Sequence, residues 1–274
     1  MNYPEYLDYN ATTPCEEEVI TAMIPYLGTH FGNASSKNHP YGWMAEQAVE
    51  EARASLAGLI GAQSKEIIFT SGATESLNLA IKGVFERYQG QKQHYITCQT
   101  EHKAVLDTFA QLEQSGAEVT YLPVNSAGEI DLNELEEQIG EHTKMICLMW
   151  ANNETGLIHP ISEIAQLAEK HGIIFLTDAV QAVGKIPVDV IADGIDIGFA
   201  DAGHILGSAI VEIFINENES SFSLDILSSS SSQKMSNNTF LLNLKKNTEC
   251  FVNLNDDILE KIDCVHLKRM NPAP

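Results

Sequence analysis

HYITCQTEHKAVLDTFAQLEQSGAEVTYLPV, residues 94–124, holds two short apolar runs around one helical stretch. The outer runs, 94–98 and 118–124, are rich in Tyr, Ile, Thr and Val, the residue types that suit a pleated, buried strand. The middle, 103–115, carries a helical pattern. Strand, helix and strand joined in that order make a βαβ unit, whose two strands run parallel. The same alternation extends in both directions. Further strands are expected at 66–70, 145–150 and 173–177, and further helices at 73–87, 132–139 and 161–171. Strands of about five residues alternating with helices of about twelve imply an α/β fold, with a mostly parallel sheet and helices on both faces. The strand runs are continuously apolar, as both-face burial requires. In such sheets ligands bind beyond the carboxyl ends of the strands.

Outside that block the pattern changes. Residues 16–27 and 42–60 read as helices, the second with Met44, Ala48, Ala52, Leu56 and Leu59 at three- and four-residue steps. Between them HFGNASSKNHP, residues 30–40, is rich in Gly, Asn, Ser and Pro and reads as a loop. Residues 216–250 hold nine Ser and six Asn, with a five-serine run at 228–232, and read as a linker or disordered segment. A short amphipathic stretch is expected near 254–262. The organisation expected is an arm and helix over 1–30, a large domain over 31–215 and a divergent tail over 216–274.

The chain has 274 residues, enough for one sizeable core. Its 16 basic against 38 acidic residues give a net charge of −22, and its arginines are Arg53, Arg87 and Arg269 alone. Such a balance argues against nucleic acid and against anionic membranes as partners. The five cysteines (Cys15, Cys98, Cys147, Cys250 and Cys264) are odd in number and widely spaced, so neither a disulfide framework nor a metal site is expected. MNYPEYLDYN is neither an apolar signal segment nor an arginine-rich transit peptide, and no apolar run approaches about 20 residues. A cytoplasmic setting is expected.

The strand ends carry the candidate chemistry. FTSGATES (69–76) places Gly72, Ala73 and Thr74 where a strand turns into a helix, a place for a phosphate on backbone N–H groups. A plain helix cap by Ser71 or Thr74 fits the same residues. His102, in TEHKAVLD, could stack on a flat ligand or simply start a helix. Asn153, in MWANNETG, could bond a ring substituent or only shape a turn. Asp178, in FLTDAVQAVGK, is a carboxylate ending an apolar strand; a pyridinium nitrogen would be a suitable partner, and helix capping is the plainer alternative. Together these residues suit a phosphorylated pyridinium cofactor.

YLDYNATTP (6–14), FGNASS, GWMAEQAVEEAR (42–53), FTSGATES, TEHKAVLD, NNETG and TDAVQAVGKIPVD (177–189) occur in one order. In these motifs the chain resembles the cysteine desulfurases, pyridoxal-phosphate enzymes of class V aminotransferase type, from Tyr6 to about Asp196. The resemblance implies the fold-type-I large domain and a role in iron–sulfur cluster assembly. It also implies L-cysteine as substrate, a sulfur-acceptor or scaffold protein as partner, and a homodimer. It assigns Ala73 and Thr74 to the cofactor phosphate, His102 to stacking and catalysis, and Asn153 and Gln181 to the ring's oxygen side. Asp178 falls at the ring nitrogen.

The resemblance stops at GIDIGFADAGHILGSA, residues 194–209. There the family carries Ser-x-His-Lys, whose lysine forms the Schiff base. Without a gap, His204 falls at that lysine and Asp201 at the phosphate-binding serine. With one extra residue, Ile205 and Ala202 fall there instead. No lysine occurs between Lys185 and Lys234. The family's catalytic-cysteine loop and small domain find no match in the tail. A frame change, a truncation and a fused foreign end all fit the break near Gly198. Three readings follow: a family chain that has lost or nearly lost its reaction, with weak or lost cofactor binding; an enzyme with His204 as base and no Schiff base; and a non-catalytic, partner-binding remnant.

Overall fold

The computed structural model describes residues 5–201, 209–213, 225–228, 239–244 and 248–253. A seven-stranded sheet is its centre. In chain order its strands are β1 (Ile67–Thr70), β2 (His94–Cys98), β3 (Glu118–Leu122), β4 (Thr143–Cys147), β5 (Ile174–Asp178), β6 (Ile197–Asp201) and β7 (Ala209–Ile213). Across the sheet the order is β1-β7-β6-β5-β4-β2-β3. From β6 to β3 all neighbours are parallel, whereas β7 is antiparallel to both β6 and β1. Strands β8 (Asp225–Ser228), β9 (Thr239–Leu244) and β10 (Thr248–Asn253) form a separate antiparallel sheet. The rest of the stretch read as a linker, including the serines at 229–232, lies outside the described residues, as does the amphipathic stretch expected near 254–262.

Helices α1 (Glu17–Met23), α2 (Pro40–Ile60), α3 (Ala73–Arg87), α4 (Lys103–Gln114), α5 (Leu132–Gln138) and α6 (Ile161–His171) complete the described chain, with 3-10 turns at Ile24–Leu27 and Ser64–Glu66. The two-residue period of the strands sorts their side chains to two faces. Tyr95, Met145, Cys147 and Leu176 meet Leu77, Ile81, Phe109 and Leu112 from α3 and α4. The intervening Ile96, Ile146, Leu148 and Phe175 meet Ala57, Ile60, Ile161 and Ile164 on the other side. Leu77, Ile81 and Phe109 are fully buried, and each such side chain contributes about 1.5–3 kcal/mol. Both α2 and α6 end on left-handed glycines, Gly61 and Gly172, the conformation that stops a helix and that only Gly adopts freely. Arg53, though charged, is buried on α2: its guanidinium donates to the Ile67 carbonyl, pairs with Glu50 at 3.1 Å and lies over the Phe69 ring. That one side chain ties α2 to β1.

Helices 73–87 and 161–171 and strand 94–98 occupy the spans their patterns indicate. The run 145–150 does not. Ladder pairing ends at Cys147, and the apolar residues after it form a buried tail. In that tail the Leu148 N–H still donates to the Leu176 carbonyl and the Trp150 N–H to the Asp178 carbonyl, at 3.0 and 2.9 Å. On that side the tail still follows β5, whereas β2 has ended beside it.

Candidate functional site

The motif residues gather at the carboxyl ends of β1, β2, β4 and β5. At the first, no side chain caps α3 at Gly72. Glu75 turns back instead, and its Oε2 accepts from the Ser71 N–H at 2.5 Å and from the Ser71 hydroxyl. Below, the Thr70 and Ser76 hydroxyls are hydrogen-bonded at 2.7 Å. Ala73 is half-buried and Thr74 is exposed. The first turn of α3 is thus braced from its flanks and presents backbone N–H groups at its tip, as anion binding requires.

His102 is the N-cap of α4, and its Nδ1 accepts from the Ala104 N–H at 3.1 Å. The helix-start role is therefore met. The same bond fixes the orientation of an exposed ring, which is also what stacking needs. Asn153 is half-buried and donates to Glu154 at 3.0 Å. Gln181 spans two partners: its Nε2 donates to the Asn10 carbonyl at 3.4 Å, and its Oε1 accepts from Lys185. Asn10 belongs to YLDYNATTP, so the N-terminal arm lies against this rim of the sheet. Asp178 is only 7% exposed, and its Oδ1 accepts from the Val180 N–H at 3.1 Å. His204, Ala202 and Ile205 lie outside the described residues, while Asp201 ends β6 and pairs with Ala209.

Two buried residues passed over in the sequence hold this rim together. Asn152 accepts from the Glu154 and Thr155 N–H groups, each at 2.9 Å, and donates to the Thr100 carbonyl at 3.0 Å. It therefore shapes the turn and links it to the end of β2. Glu101, 5% exposed, accepts from the Met149 N–H at 2.8 Å through Oε1, while its Oε2 has no partner among the described residues. Burial pushes the Glu101 carboxyl well above the usual carboxylate range; the Met149 N–H opposes this and the Asp178 charge adds to it. Burial, then Glu101 and Asp178, likewise push the Cys147 thiol up, so it is an inert structural thiol. Their signal in the sequence was position: a Glu directly before the strand-end His102, and the first Asn of an Asn-Asn pair.

A pyridine phosphate fits these groups. Uncapped N–H groups suit a phosphate, and a buried carboxylate suits a protonated ring nitrogen. The pocket of 420 Å3 lined by Tyr88, Lys144 and His171 lies at the opposite, amino ends of the strands and holds none of the motif residues. Among the described residues no helix is long and apolar enough to cross a membrane.

The aminotransferase class-V family matches residues 5–214. The cysteine desulfurase IscS of Anaeromyxobacter sp. (strain K) is 49% identical over 207 residues, covering 76% of this chain and 51% of that protein. The same-named protein of Neisseria meningitidis serogroup C is 53% identical over 204 residues, covering 74% and 50%. The chain thus spans about half the length of these curated relatives. Among solved structures, a NifS-like protein superposes with a TM-score of 0.73 at 37% identity, covering 75% of this chain and 58% of its own. SspA in complex with cysteine gives 0.74 at 38%, covering 77% and 61%.

Proposed function

This chain belongs to the aminotransferase class-V family, and on that premise we propose that it is a pyridoxal-phosphate-recognising domain of cysteine desulfurase type that holds its cofactor weakly and has lost, or nearly lost, sulfur release. The observation that carries the reading is the convergence of the α3 tip, His102 and buried Asp178 on one rim of the sheet, in a chain with no lysine between Lys185 and Lys234.

The α3 turn, through Gly72, Ala73 and Thr74, would hold the phosphate. His102 would cover the ring face, and Asn153 and Gln181 would meet the ring oxygen. Asp178 would pair with the ring nitrogen. When bound, this cofactor supplies an electron sink for carbanions formed beside it. Asp178 would serve that chemistry as the anionic partner of a protonated ring nitrogen, in a place where burial strengthens the pairing. Gln181 ties the arm to the rim through the Asn10 carbonyl. His102 is oriented by its cap bond, in which Nδ1 accepts from the Ala104 N–H, and so presents its ring face rather than a free lone pair to the cofactor.

Two features weaken the site. In neither register does a lysine fall at the position of the covalent tether. In the ungapped register, Asp201 replaces the serine that would donate to the phosphate. At about 4 Å and an effective dielectric of about 20, each such like-charge contact costs about 4 kcal/mol.

L-Cysteine is the proposed substrate class, in a cytoplasmic setting, with a sulfur-acceptor or scaffold protein of iron–sulfur cluster assembly as partner. Leu7, Leu27, Phe31 and Trp43 are exposed on the first third of the chain. Apolar surface of this kind supports self-association as a homodimer.

The test is a pyridoxal phosphate titration followed by absorbance, then borohydride reduction with peptide mass analysis, and an assay of sulfide and alanine from cysteine. Weak, saturable binding is expected, with no lysine adduct and no sulfide above background. A stable adduct on a rim lysine would restore the enzyme, and absence of any binding would reduce the rim to a structural remnant.

A further inference from the structure

Glu101 stands in for a strand. In the tail of β4 alternate N–H groups point to opposite neighbours. Those of Leu148 and Trp150 reach β5 carbonyls, while that of Met149 faces the side where β2 has ended. A parallel neighbour would supply a main-chain carbonyl there. Here the Glu101 carboxyl supplies the acceptor instead, at 2.8 Å. The bond keeps the tail aligned up to Asn152 and Asn153, and holds it against the residue that precedes His102.

A carboxyl used this way needs only one of its oxygens. The other, Oε2, is buried and has no partner among the described residues. The titratable groups that face Glu101 are Asp178 on β5, Cys147 on β4 and Cys98 on β2, all of them acids. Among the described residues no cation acts on Glu101, and a buried unpaired charge takes up a proton rather than remain ionised.

We propose that Glu101 is a positioning residue of this rim: a buried acid that keeps its proton, clamps the Met149 N–H, and so leaves Asp178 the one ionised carboxylate beneath a bound ring. The proposal rests on the cofactor reading above. It goes further by assigning two carboxyl groups opposite protonation states, one to shape the site and one to charge it. Ionised Glu101 would drive a proton onto Asp178 and remove the partner of the ring nitrogen.

The test pairs a ligand-free measurement with a ligand-bound one. Difference infrared spectra of the parent chain and E101Q, taken from mildly acidic to mildly alkaline pH, should show one protonated-carboxyl band that persists at neutral pH and vanishes in E101Q. In the titration, E101Q retains the acceptor and a neutral side chain, so its affinity for pyridoxal phosphate and the pH profile of that affinity should match the parent. E101A leaves the Met149 N–H without a partner and should lose affinity by on the order of tenfold. Absence of the band, or a tenfold loss in E101Q, overturns the proposal even where the parent chain binds the cofactor. Unchanged affinity in E101A overturns the clamp. If the parent binds no pyridoxal phosphate, the functional reading fails and takes with it Glu101's role toward the ring; the band still decides whether the acid keeps its proton.

Discussion

Helices α2 and α3 lie next to each other in the chain and teach opposite lessons. The 15 residues of α3 bury Ser76, Leu77, Ala80, Ile81 and Val84 against the sheet. The 21 residues of α2 bury only Gly42, Arg53, Ala57 and Ile60. Its first turns leave Tyr41, Trp43 and Met44 exposed, and α1 buries nothing. Both regions carry apolar residues at helical spacing. That spacing says that a helix has a face to cover; it does not say that the cover lies within the described residues. Over residues 67–196 the sheet provides it, whereas over residues 5–59 much of the apolar surface remains open.

The largest expected effect breaks the covered side. Phe109 is fully buried and packs on Tyr95 with ring centroids 5.7 Å apart. F109A should cost about 3–5 kcal/mol of unfolding free energy by urea titration. A cost below about 1 kcal/mol would mean that this face is not the close-packed core described.

The next effect sharpens the contrast between a packed block and its weakened rim. D201S removes a negative charge from the end of β6 in the ungapped register, and should raise pyridoxal phosphate affinity by about tenfold or more in calorimetric titration. If A202S raises it and D201S does not, the gapped register is the right one.

Acid should loosen the covered block through its buried histidines. His94 lies between the Thr143 and Thr120 hydroxyls, and neither ring nitrogen of His159 has a partner among the described residues. Burial lowers the pKa of both; for His94 the nearby Glu118 opposes the shift. A histidine with a lowered folded pKa contributes stability above its unfolded value, near 6.5, and that contribution is lost as pH falls through the folded value. Glu101 and Glu86 have raised folded values, so their contribution is full at low pH and fades as pH rises through those values. Through these histidines thermal midpoints should fall as pH drops below about 6.5 in the parent chain, and H159N should flatten that fall. An identical slope in H159N would remove His159 from the account.

The smallest effect on stability belongs to the open side. Leu27 is 79% exposed, so L27S should change unfolding free energy by less than about 0.5 kcal/mol. Combined with F31S, it should shift the parent's light-scattering mass toward the monomer. A strictly monomeric parent at micromolar concentration would instead leave this apolar surface without a partner copy.

The alternation of strands and helices, the two-face sheet and the spans of α3, α6 and β2 were legible in the chain itself, because hydrophobic period is a local signal. The positions of Thr74, His102, Asn153 and Asp178 at or just beyond strand ends were legible too, while their roles toward a ligand belong to the proposal above. The place of β7, antiparallel between β6 and β1, came only from the folded chain: pairing joins residues some 140 positions apart, Ile67 with Glu212, and no local period encodes it. The same holds for the Gln181 contact with Asn10 and for the Glu101 bond to Met149. A side chain's use depends on which main-chain groups the sheet leaves without a neighbour, and that is settled when the strands pair and end.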